Sequence, residues 1–254
     1  MPASVNARPS ARALPLAVPL ALSLLALGAC VKQPPPAEKA PPPPEPTPTK
    51  WVTEAPAGEY RIEPSHASLT FRVDHLGFSK YTARFKRLDG VLQFDPANPA
   101  ASSIEATVDV KSLETDFPFP EQVDFNAELT SEGWLNAKAF PTMTYKSTGI
   151  EITGPQTFKV RGDLTLRGVT KPVELDARFN GGYAGLAQFD PNARIGFSAT
   201  ARLKRSEFGV SYGIPAPGTT MGVSDEVEVL LELEFSGPPM PAPAATPAAA
   251  APAG

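Results

Sequence analysis

His66 and His75 are the only imidazoles in this 254-residue chain. A Ser–His–Asp triad or a two-histidine metal face needs such groups converging at fixed reach. Nine residues apart on one extended strand, they point to opposite faces and stand roughly 30 Å apart. They cannot share a metal without a chain reversal between them, and they read as hydrogen-bonded structural groups at strand ends. One cysteine, Cys30, excludes an internal disulfide, a Cys-rich zinc module and an iron–sulfur cluster ligated wholly by this chain. The sequence contains no G-x-S-x-G, H-E-x-x-H, G-x-x-x-x-G-K or G-x-G-x-x-G. Acidic residues are plentiful but fall on the polar sides of alternating segments, where solvation is the default. No catalytic residue, metal site or cofactor is therefore expected.

The elements that carry these residues are strands. Between Tyr60 and Phe235 the hydrophobic period is two. Leu69, Phe71 and Val73 alternate with Ser68, Thr70 and Arg72; Val227, Val229, Leu231, Leu233 and Phe235 alternate with Glu226, Glu228, Glu232 and Glu234. One apolar and one charged face per strand is the antiparallel pattern. Asp89-Gly90 is expected to form a tight turn between two strands, and Asp95-Pro96 and Asp190-Pro191 further turns. A short helix is expected only around Glu128–Leu135, with Pro141 beyond its exit. Eight or nine strands with no helices to cover them leave two solutions, a two-sheet sandwich or a sheet closed into a barrel. Small inward residues, among them Ala83, Ala106, Gly162, Ala177, Ala199 and Ala201, leave room in a barrel or merely accommodate tight packing.

The prolines set the boundaries. Ten of the 31 fall in residues 31–58 and six in 237–254, whereas all 14 Phe and all 5 Tyr lie between Tyr60 and Phe235. Segments without large apolar side chains cannot offset the entropy of ordering themselves. Residues 59–236 are expected to form one domain, with 30–58 a disordered Pro-rich linker behind Cys30 and 237–254 a disordered Pro/Ala tail. A net charge of −4 with no basic block makes nucleic acid an unexpected partner.

Ala13–Leu27 is an apolar run, interrupted only by Ser23, preceded by Arg8 and Arg12. It is too short to span a bilayer but suits a signal-peptide core. Leu27-Gly28-Ala29-Cys30 resembles the bacterial lipobox, in which the cysteine is lipidated and becomes the first mature residue. That resemblance implies a signal peptide over 1–29, acyl chains on Cys30 holding the protein on a membrane, and a Pro-rich tether. Val31, in place of the Asp associated with inner-membrane retention, implies the periplasmic side of the outer membrane.

Further motifs resemble the YceI-like family of bacterial lipid-binding proteins. They are Ser65-His66, Phe71-Arg72-Val73 with His75-Leu76-Gly77-Phe78-Ser79, Leu88-Asp89-Gly90 with Phe94-Asp95-Pro96, and Trp134-Leu135-Asn136 before Phe140-Pro141. Gly162-Asp163-Leu164-Thr165-Leu166-Arg167-Gly168 and Arg205-Ser206-Glu207-Phe208-Gly209 complete the set. The resemblance covers 59–236. It implies an all-β, extended antiparallel, lipocalin-like β-barrel with one short helix, enclosing an apolar channel for an amphiphile such as a polyisoprenoid, an isoprenoid quinone or a fatty-acid-like lipid. Family members often carry a charged stretch with Asn and Arg before the helix; here it is Asp116-Phe117-Pro118-Phe119-Pro120-Glu121.

Inward positions expected to line the channel are Phe71, Val73, Phe85 and Val108 in the first half of the domain. Tyr145, Phe158, Leu164, Phe197 and Leu231 are expected in the second. Phe208 and Tyr212 are expected at the mouth, and His66, His75 and Arg205 at head-group or structural positions. The competing readings are a scaffold lipoprotein with a filled barrel and a lipid-modifying enzyme built on the loops. The sequence does not specify oligomeric state.

Overall fold

The computed structural model describes residues 50–240. The expected signal peptide, Cys30, most of the expected linker and the last fourteen residues lie outside the described residues. The described strands are β1 (Gly58–His75), β2 (Ser79–Phe85), β3 (Leu88–Phe94), β4 (Ser103–Asp109) and β5 (Leu113–Glu114), then β6 (Thr142–Ile152), β7 (Thr157–Leu166), β8 (Val169–Tyr183), β9 (Asn192–Lys204) and β10 (Val223–Pro239). One helix, α1 (Phe125–Thr130), precedes β6.

Every pairing between these strands is antiparallel. The order β1-β3-β4-β6-β7-β8-β9-β10 closes where β10 pairs again with β1, from Arg61 opposite Ser236 to His75 opposite Val223. Eight staves thus form a barrel, and closure removes the exposed edges that a sandwich would keep. β2 and β3 are two halves of one stave: β3 pairs with the start of β1 and β2 with its end. The stave bends at Lys86-Arg87, and its neighbour bends at the same level, where a 3-10 turn, Val110–Ser112, separates β4 from β5. Hydrogen bonds tie the two bends together. Ser112 O accepts from Lys86 N and Ser112 Oγ from Arg87 N, both at 3.0 Å, and Asp109 Oδ2 accepts from Arg87 Nε at 2.9 Å.

Asp89-Gly90 is not a turn. Both residues lie inside β3, opposite Thr107 and Ala106. The glycine answers a spatial requirement: a Cβ there would stand 2.9 Å from Ile62 Cδ1 and 3.0 Å from Glu105 O. The two-residue reversal occurs instead at Arg167-Gly168, between β7 and β8, where both φ values are positive (51° and 73°) as a type I′ turn requires. Helix α1 starts three residues before its expected position because Asp124 caps it, accepting from Ala127 N at 2.9 Å. It stops at Thr130, and the chain then turns through Asn136, at φ 50°.

The domain is longer at both ends than the proline pattern suggests. β10 continues to Pro239, opposite Asn192. Trp51, expected in solvated linker, is 4% exposed. Its amide donates to Pro96 O at 2.9 Å. Its ring stacks on Phe179 and Phe94, with centroids 5.0 and 5.7 Å away, and lies 5.0 Å from Phe158. Phe197 and Phe235 continue this ring cluster, which stoppers the end of the barrel where β1 begins.

Candidate functional site

The period-two pattern sends alternate side chains of all eight staves inward, where a filled barrel would bury them. It does so only at the ends. The stopper around Trp51 is one packed cluster. A second, holding Phe85, Val108, Met143 and Leu166, lies towards the other end, beneath α1 and the 3-10 turn Arg205–Phe208. Between them Leu69, Phe71, Leu175, Val229 and Leu231 face inward yet stay only partly buried, because no side chain stands opposite. The space they enclose is a cavity of about 580 Å³, within the size range of small-molecule pockets.

Each of the nine channel positions expected from the sequence borders this cavity: Phe71, Val73, Phe85 and Val108 on β1, β2 and β4, and Tyr145, Phe158, Leu164, Phe197 and Leu231 on β6, β7, β9 and β10. Phe158 and Phe197 do so from the stopper. The two expected mouth residues do not reach it. Phe208 is 1% exposed, packed into the core by its 3-10 turn. Tyr212 is 67% exposed, turned outward with its ring edge-on to Trp134, centroids 5.1 Å apart. Trp134 lines the cavity where Tyr212 was expected.

The histidines separate as their spacing requires. His66 faces outward, its Nδ1 3.6 Å from Glu234 Oε2; it sits mid-strand beside a register shift in β1 rather than at a strand end. His75 ends β1 and borders the cavity with Ser79; both are exposed and mark the open end. Among the described residues no group of three His, Cys, Asp or Glu is placed to hold a metal.

Two polar groups at the cavity wall, Tyr145 and Arg205, are engaged by the protein itself, whereas the buried Trp51 Nε1–H has no partner among the described residues. Tyr145 Oη lies 3.0 Å from Val160 O and 3.1 Å from Val173 O, and burial pushes its phenol well above the usual range. Arg205 is buried beside the mouth. Its Nε donates to Ser224 O (2.8 Å), Nη1 to Val210 O (3.0 Å) and Tyr212 O (2.8 Å), and Nη2 to Val223 O (2.8 Å). Its guanidinium carbon lies 5.7 Å from the centre of the Trp134 ring. Burial lowers its pKa below the ordinary arginine value, yet the group stays a cation and faces carbonyl oxygens. Arg205 thus braces the loop from Gly209 to Gly222 over the mouth. Sequence reasoning missed Trp51 as a wall residue; the available signal was that it is the one aromatic residue outside the span from Tyr60 to Phe235.

A closed antiparallel barrel, stoppered at one end and hollow and apolar along its middle, defines a binding barrel. The YceI-like domain pattern matches residues 60–235, and the chain belongs to the YceI-like family. A UPF0312 protein of Vibrio cholerae is 36% identical over 184 residues, covering 71% of this chain and 88% of that protein. Protein YceI of Salmonella arizonae is 35% identical over 185 residues, covering 71% and 87%. Among solved structures, the Campylobacter jejuni YCEI protein aligns with a TM-score of 0.53 at 28% identity, over 65% of this chain and 90% of that one. Burkholderia cenocepacia BcnA shares the fold, with a TM-score of 0.56 at 24% identity, over 68% and 98%.

Proposed function

We propose that this protein binds a long-chain amphiphile, a polyisoprenoid, an isoprenoid quinone or a fatty-acid-like lipid, in its barrel, and sequesters or carries it in the bacterial cell envelope. Lipidation of Cys30 would hold it on the periplasmic face of the outer membrane. The observation that carries the reading is the unfilled mid-barrel, whose inward Leu, Val and Phe side chains keep surface that only an apolar guest would cover. The driving force is transfer out of water. A chain that hides roughly 300 Å² of apolar surface gains about 7.5 kcal/mol at about 25 cal/mol per Å², before the cost of association. Protein purified from its native envelope should yield such a lipid on solvent extraction and mass spectrometry. After delipidation it should take up a fluorescent polyprenyl or fatty-acyl probe. Protein that carries no lipid and takes up neither probe would overturn the reading.

A further inference from the structure

We propose that the rim of the open end docks on a zwitterionic bilayer surface and loads the cavity from it; this rests on the binding reading above. Five large apolar side chains at this end face solvent, in two groups. Phe78 (86% exposed), Tyr212 and Met221 (73% exposed) form the first. Their loops are bonded together: Leu76 N donates to Gly222 O at 2.9 Å, Val223 N donates to Gly213 O at 2.8 Å, and Thr220 packs against Gly77. Phe119 and Val123 form the second, on the loop before α1, where the Phe119 ring lies 5.9 Å from Phe117.

These residues are continuous with the cavity. Phe78 adjoins Ser79, Phe119 is two residues from Phe117, Val123 two from Phe125, Tyr212 two from Val210 and Met221 two from Val223; each of the second-named residues borders the cavity. The exposed apolar side chains therefore stand on the same loops as residues that border the cavity. Val52, Leu186, Phe189 and Met240 are exposed at the stoppered end too, so exposure alone does not select the rim. What does is that only the rim residues adjoin the open end of the cavity, where an apolar guest that must not cross water would enter.

Charge selects the partner. Residues 76–79 and 209–223 hold no charged side chain, and 116–124 hold three acids and no base. The bases nearest these two groups are already engaged, Lys80 with Glu228 and Arg167 with the Trp134 and Gly209 carbonyls, so apolar insertion into a neutral surface, rather than attraction to anionic lipid, is the driving force. The described chain begins and ends away from the rim. Lys50 precedes Trp51 at the stoppered end, and Met240 N donates to Pro191 O in the loop after β8, at that same end.

The test uses the full chain on phosphatidylcholine vesicles containing bromine-labelled acyl chains, which quench a nearby tryptophan. Phe78→Trp places a reporter at the rim. Phe189→Trp, at an 87% exposed phenylalanine between β8 and β9 at the stoppered end, is the matched control. After subtraction of the parent signal, the rim reporter should be quenched and the control should not, with no gain when anionic lipid is added. Equal quenching of both, quenching of the control alone, or none would overturn the proposal. In a second arm, the double variant Phe78→Ser, Met221→Ser should take up a polyprenyl probe from vesicles at least tenfold more slowly, while uptake of probe delivered from cyclodextrin stays unchanged. Equal slowing by both routes, or by neither, would overturn it. Failure of the parent protein to take up probe from cyclodextrin would instead sink the binding reading, an outcome separate from the quenching result.

Discussion

Ala201→Phe separates a hollow barrel from a filled one. Ala201 lies on β9 opposite Val229, faces the cavity, and belongs to neither packed cluster. A phenyl ring needs a space of about 150 Å³, about a quarter of the 580 Å³ present. In a packed interior the added ring would cost about 1–3 kcal/mol through forced rotamers and backbone shifts. In a hollow one it lies against apolar wall, so the delipidated variant should unfold in urea within about 1 kcal/mol of the parent, or be more stable. The guest loses the wall that the ring now covers. If that is roughly 100 Å² of contact, the loss is about 2.5 kcal/mol, or about 60-fold in affinity. Urea unfolding of delipidated protein and titration with a fluorescent polyprenyl probe measure the two quantities. A loss of stability in the overpacking range with affinity unchanged would refute the reasoning.

Two further perturbations address the ends of the barrel. Trp51→Ala removes the ring that Phe94, Phe158, Phe179 and Phe197 surround, and should cost about 3–5 kcal/mol in urea unfolding; Trp51→Phe should cost much less, because it keeps an aromatic ring and removes a buried Nε1–H that has no partner among the described residues. Near the mouth, Asn126 first, then Lys86 and the Asp116 amide, hold the Glu114 carboxyl down to about 2 from its ordinary 4.5. A depressed carboxyl stabilises the fold above its unfolded-state pKa and loses that contribution as pH falls through its folded one. The thermal midpoint of the parent should therefore fall faster between pH 4.5 and 2 than that of Glu114→Gln, and parallel curves would contradict the assignment.

The strand count, the antiparallel pairing and the inward face of each stave were legible, because period-two alternation encodes them residue by residue. Choosing a barrel over a sandwich took the family resemblance, since the pairing of β10 with β1 joins the two ends of the domain and leaves no local mark. Asp89-Gly90 misled for a physical reason. The dipeptide that favours a type I′ turn also suits a strand position where the Ile62 side chain leaves no room for a Cβ. Trp51 was hidden by its neighbours: a proline-rich segment reads as solvated until one aromatic residue finds a ring-lined socket. Phe208 and Tyr212 sit where a 3-10 turn and a glycine-rich loop decide orientation, and neither has a period from which to read it.

Among the described residues, the ring stopper leaves the barrel a single door. Whatever enters past His75 and Ser79 must leave by the same route, last in and first out, so a newcomer cannot push a resident through from behind. Such a vessel exchanges its contents instead of conducting them, and the rate of turnover belongs to the doorway rather than to the length of the tube.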